Sequence, residues 1–131
     1  MRRIALWGPV VLVMGLIFFA SSLSDPGAPP GGISDQAAHF LIYGGLGGAL
    51  VRALAGGRPA AMGPRRILVA VVLATLYGVT DEIHQHFVPP RTPDILDVGA
   101  DAAGALAGAI AIALIARLLS ALFQRSSPAR P

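Results

Sequence analysis

Apolar and polar positions are segregated along this chain into long blocks. An apolar run from Ile4 to Ala20, extended by Ser21 to Leu23, is followed by a second from Ala37 to about Ala55, a third from Ile67 to about Phe87 and a fourth from about Asp97 to Leu119. Each block approaches the roughly 20 residues that a helix needs to cross a hydrocarbon core of about 30 Å. The pattern predicts an all-α, polytopic membrane protein, a bundle of four transmembrane helices over 4–23, 37–55, 67–87 and 97–119 within one domain of residues 1–124, followed by a short basic tail over 125–131.

The segments between the blocks are rich in turn-forming residues. Ser24 to Gly32 is a Ser, Pro and Gly loop, Ser34 is placed to cap the second helix, and Pro59 and Pro64 interrupt the basic turn from Arg52 to Arg66. Met1-Arg2-Arg3, an apolar run and then Ala20-Ser21-Ser22 also fit a cleaved signal peptide, but the length of the run and the spans that follow favour a retained first helix. Gly44 with Gly48, and Gly104 with Gly108, have the small-residue spacing that lets helix backbones approach closely in lipid. Two such faces in so small a bundle also make self-association into a homo-oligomer an expectation.

Composition strengthens the membrane reading, with 54% hydrophobic residues and a positive mean hydropathy. All ten basic residues are arginines, scattered between apolar runs instead of clustered with aromatics. That arrangement points to membrane lipids and away from nucleic acid. Arg2, Arg3, Arg52, Arg58, Arg65, Arg66, Arg117, Arg125 and Arg130 fall on one side of the four-span topology and Arg91 alone on the other. By the positive-inside rule both termini are cytoplasmic, in a multi-pass protein of the inner (cytoplasmic) membrane. The acids and histidines then gather at or near the outer face. With no cysteine there is no disulfide or thiolate chemistry.

Helical spacing orders the outer polar residues into stripes: Asp35, His39 and Tyr43 on span two, Asp81 and Gln85 with Glu82 and His86 beside them on span three, and Asp97 and Asp101 on span four. Ionisable groups at membrane depth are costly and commonly functional. His39, Asp81 and Glu82 are the candidate catalytic residues, the adjacent carboxylates suited to general acid and base roles. Arg91, in the proline-stiffened turn VPPRTPD, is the candidate anchor for an acid or an anionic ligand. Structural roles compete at each position: His39 can hydrogen-bond a carbonyl or Asp35, Asp81 and Glu82 can pair with Arg91, and Asp94 and Asp97 can start the fourth helix. His84 and His86 point to opposite sides of a helix, and Glu82 with His86 is the one pair with metal-ligand spacing. No metal or other cofactor is expected.

The residues DQAAHFLIYGGLG over 35–47, the Ser-Ser-Leu-Ser after span one and DEIHQHFVPPRTPDILDVGADAAGALAG over 81–108 resemble the VanZ-like family of small bacterial membrane proteins. The resemblance implies that the polar positions of that family fall at Ser21, Ser22, His39, Tyr43, Asp81, Glu82, Gln85, Arg91, Asp97 and Asp101. Of these, Ser21, Ser22, Tyr43, Gln85, Arg91, Asp97 and Asp101 would bind ligand. Gln36 stands where the family often has lysine, and Asp101 where it more often has asparagine, so the cluster is more acidic here. The resemblance also implies a link to glycopeptide (teicoplanin-type) resistance.

The expected function is an outward-facing polar pocket that binds or acts on a cell-envelope lipid or a lipid-linked precursor. The alternative is a non-enzymatic structural or interaction protein whose polar cluster is a salt-bridge network fastening the helices. A third reading, a proton or ion pathway, lacks a continuous relay through the inner halves of the spans.

Overall fold

The computed structural model describes residues 1–25, 27 and 30–126, and those residues form helices joined by short connections, with no strand among them. The elements are α1 (Arg2–Ser21), α2 (Asp35–Leu54), α3 (Pro64–His86) and α4 (Ile95–Ser126), with single 3-10 turns at Pro30–Gly32 and Pro59–Ala61. All four long helices have the length and apolarity to cross a membrane. The predicted all-helical, four-span architecture is the one observed.

The helix boundaries follow local chemistry. Ser34 caps α2 as expected, its hydroxyl accepting from the Ala37 N–H at 3.2 Å. Pro64 opens α3, where its missing N–H has no helical partner to lose, so Arg65 and Arg66 lie inside the helix. Asp94 starts α4 by accepting from the Leu96 N–H at 2.8 Å. That helix then runs through Ser126 and takes in the first two residues of the predicted tail; residues 127–131 lie outside the described residues.

α2 is the central helix, contacting each of the other three and packing most extensively on α4, while α1 is peripheral. Tyr43, Leu46, Leu50 and Val51 of α2 are buried against a wall of alanines, Ala70 and Ala74 from α3 and Ala105, Ala109 and Ala113 from α4. Outward, Leu12, Leu16, Phe19, Leu68, Leu76, Leu114 and Leu118 are exposed. Such continuous apolar exposure suits contact with lipid chains, and the chain is a multi-pass membrane protein.

The α2–α4 seam is a contact between backbones. A Cβ on Gly104 would run into the Phe40 carbonyl, one on Gly108 into the Gly44 carbonyl, and one on Gly47 into the Ala105 backbone. The two glycine pairs foreseen in the sequence thus meet each other within one chain. Gly45 points elsewhere, with nothing within 4 Å of its Cβ position.

The opposite end from the acids is organised by arginines bonding backbone carbonyls. Pro9 sits inside α1 and has no N–H, which frees the Ala5 carbonyl; Arg52 donates to that oxygen at 3.0 Å. Arg2 reaches the Gly56 carbonyl at 3.0 Å, where Gly56 takes the left-handed φ of +60° that turns the chain out of α2. Arg66 bonds the Leu54 and Ala61 carbonyls, and Arg117 bonds the Met62 carbonyl.

Two predictions follow from this packing. Gly108→Ala should lower the detergent-solubilised melting temperature by an amount corresponding to about 1–3 kcal/mol of overpacking, whereas Gly45→Ala should leave it unchanged. Arg52→Ala should destabilise the protein, and less so in a Pro9→Ala background, where the Ala5 carbonyl regains a helical N–H; a double-mutant cycle of melting temperatures measures the coupling.

Candidate functional site

The acidic end gathers the first turns of α2, the last turns of α3 and the first turns of α4. In α3, Asp81, Glu82 and Gln85 are buried on one face, while His86 is exposed on the other and packs edge-on against Phe87 at 5.4 Å. In α4, Asp97 and Asp101 are 8% and 0% exposed. Gly78 makes room for Asp101: a Cβ there would collide with its carboxylate.

His39 holds this cluster from α2. Its Nδ1 lies 2.9 Å from Asp101 Oδ1 and its Nε2 lies 3.9 Å from Asp97 Oδ2, and these are the ion pairs found among the described residues. The ring stacks on that of Tyr43, centroids 6.1 Å apart and 5° from parallel. Tyr43 is fully buried and its hydroxyl has no partner, nor do Asp97 Oδ1 and Asp101 Oδ2. Buried polar atoms of this kind ordinarily find a partner, so three in one cluster mark a place for chemistry or for a bound group.

Gln85 is the junction between the acids and the only cation of the neighbouring turn. Its amide N–H group donates to Asp81 Oδ2 at 3.2 Å and to Glu82 Oε1 at 3.3 Å, and its carbonyl accepts from Arg91 at 2.6 Å. Glu82 also accepts from the Asp94 N–H at 2.8 Å, which ties α3 to the start of α4. Arg91 therefore reaches the carboxylates through Gln85; of the two partners expected for it, an acid or an anionic ligand, the described residues show no direct pairing with an acid. A cluster fastened by Arg91 salt bridges is not what the described residues form.

Two openings flank the site. A polar cavity of about 410 Å³ is lined by Asp35, Gln36, Gln85, Arg91, Asp94 and Asp97. An apolar groove of about 400 Å³ runs between the end of α3 and the start of α4, walled by Ile83, Phe87, Ile95 and Val98 with Glu82 at its lining. Asp94 borders both.

Of the ten candidate residues, His39, Tyr43, Asp81, Glu82, Gln85, Arg91, Asp97 and Asp101 come together in this region. Ser21 and Ser22 do not join it. Both bond the Phe18 carbonyl, and Ser22 lies 3.1 Å from Nε2 of His84, whose ring packs on Phe18 at 4.7 Å. That group fixes α1 to α3, together with Tyr77, which donates to the Met14 carbonyl at 2.7 Å. Sequence reasoning passed over Tyr77 and Gly78; a tyrosine followed by glycine one turn before Asp81 was the available signal. It also missed that His39, Glu82 and Asp97 each bring a ligand atom within 4.8 Å of the others, because the three lie on three helices.

No curated protein and no solved structure matches this chain. A protein-family model described as VanZ/LLP1 does, over residues 6–117, which takes in most of α1, all of α2 and α3, the polar turn after α3 and α4 up to Arg117. The chain accordingly belongs to the VanZ/LLP1 family of proteins.

Proposed function

We propose that this protein binds the head group of a cell-envelope lipid or lipid-linked precursor at the outer face of the inner membrane, with both termini cytoplasmic. The observation that carries the reading is the junction at Asp94, where a polar cavity containing Arg91 borders an apolar groove open along α3 and α4. An amphipathic ligand needs both halves side by side, polar donors for its head and an apolar track for its chain. Arg91 spends one N–H on Gln85 and keeps the rest of its planar fork for phosphate or carboxylate oxygens. His39, Asp81 and Glu82 are the groups able to hold or move a proton beside that head group. Binding of an envelope precursor would account for the link to glycopeptide resistance that family membership suggests.

The helix-fastening alternative draws on the Glu82 contacts to Gln85 and Asp94, which join α3 to α4. Glu82→Gln separates the two readings. The substituted amide oxygen can still accept from the Asp94 N–H while the weaker bond from Gln85 is lost, a change of about 0.5–1.5 kcal/mol. The expected outcome is a nearly unchanged melting temperature with failure to restore glycopeptide or envelope-stress tolerance to a deletion strain. Collapse of stability together with complementation would instead establish the fastening role.

Arg91→Ala tests the pocket directly. Native mass spectrometry of the purified protein should show a co-purifying phospholipid or polyprenyl-linked species on the wild type and its loss from the folded variant. Retention of the same species would remove Arg91 from the site.

A further inference from the structure

The geometry points to a divalent transition-metal site formed by His39, Glu82 and Asp97, with an open coordination position toward the polar cavity.

One ligand atom from each of these residues lies within 4.8 Å of the other two. Metal–nitrogen and metal–oxygen bonds of about 2.0–2.2 Å at tetrahedral angles bring ligand atoms to about 3.4 Å of one another, so rotation of the carboxylates toward His39 must draw the set in by up to about 1.4 Å to close it.

The orientation of each ligand is already held from behind. His39 Nδ1 faces Asp101 Oδ1 at 2.9 Å; in the tautomer where Nδ1–H donates to that carboxylate, Nε2, 3.9 Å from Asp97 Oδ2, is the unprotonated nitrogen. Carboxylate–histidine pairs of this kind support imidazole ligands in metal sites. Glu82 is positioned by the Asp94 N–H and the Gln85 amide.

A second, independent observation is Asp97 itself. It is 8% exposed and its Oδ1 has no partner, so a buried carboxylate oxygen stands in the cluster without a donor.

Charge balance argues the same way. Asp81, Glu82, Asp97 and Asp101 are all buried, and among the described residues only Asp97 and Asp101 have an ion-pair partner, His39 in both cases. A dication compensates the excess, and does so where Arg91 is engaged with Gln85 instead.

The donor set identifies the ion's class. One imidazole with two carboxylates suits Zn²⁺, Mn²⁺, Fe²⁺ or Co²⁺, whereas Ca²⁺ and Mg²⁺ prefer all-oxygen sets. Three protein ligands leave a position for water or substrate, the pattern of reactive sites and not of closed structural ones. Asp97 lines the polar cavity and Glu82 the apolar groove, so a metal between them would meet a phosphate oxygen of any ligand lying across both.

Metal binding is measured without any lipid ligand, so its result is separate from the outcome for lipid co-purification. Untagged full-length protein in detergent is stripped with EDTA and titrated with Co²⁺ alone, followed by visible absorption, and with Zn²⁺ alone, followed by melting temperature. The wild type should take up about one equivalent, with new d–d bands and a raised melting temperature. His39→Gln and Asp97→Asn should each lose the bands, and His86→Gln, which alters an exposed histidine outside the cluster, should keep them. The proposal is overturned if the wild type binds neither ion. It is equally overturned if binding survives both ligand substitutions, or if His86→Gln removes it. The wild-type titration decides the matter even where a ligand variant fails to fold.

Discussion

The rest of the structure depends on the approach of α2 to α4 at backbone distance. In lipid there is no hydrophobic drive to bring helices together, so close packing must supply it, and side chains at the seam would hold the helices apart. Gly104 lies against the Phe40 carbonyl and Gly108 against that of Gly44. Phe40 directly follows His39, and Gly104 comes three residues after Asp101. The same approach that joins the helices therefore sets the imidazole against its carboxylate, and the site and the fold share one contact.

The two ends of the bundle solve the problem of polar groups in an apolar solvent differently. At the arginine end Arg2, Arg52, Arg66 and Arg117 bond backbone carbonyls left over at helix termini or in the connecting turn, or freed by Pro9. This is economical chemistry, since those carbonyls lack helical partners in any case. At the acidic end the carboxylates outnumber the donors available to them. Asp97, Asp101 and Tyr43 each keep a buried oxygen without a partner, although the backbone N–H of Asp94 and the amide of Gln85 are fully used. An end built only to hold helices together would more readily carry neutral side chains there, because unsatisfied buried polar atoms cost stability without return.

Much of this was legible in the sequence because membrane helices announce themselves by length and apolarity. The four spans, the Ser34 cap and the glycine pairs could all be read from local spacing. So could the burial of Asp81 and Gln85 on one face of α3, since residues four apart share a face. That the polar stripes of the second, third and fourth spans face one another followed from the same spacing; what could not be read was which residues pair across them. Ser22 and His84 find each other across 62 positions, as do His39 and Asp101, and no periodicity distinguishes one partnership from the other. Arg91 was the only cation besides the histidines at that face, which made an acid or an anionic ligand its expected partner. The turn instead delivers its guanidinium to the Gln85 carbonyl.

That substitution of an amide for a carboxylate as the partner of Arg91 has a consequence for ligand capture. A guanidinium locked in a bidentate pair with a buried acid would present little net charge to a phosphate, and breaking that pair would cost several kcal/mol. Gln85 accepts one N–H of Arg91 through its carbonyl and satisfies Asp81 and Glu82 through its amide nitrogen, so it orients the cation without neutralising it. Asp35, Asp94 and Asp97 line the same cavity, and in the proposed reading the remaining N–H groups of Arg91 are the donors for an anionic oxygen. A neutral side chain between opposite charges is a weak fastener, which suits the head-group binding proposed for this cavity.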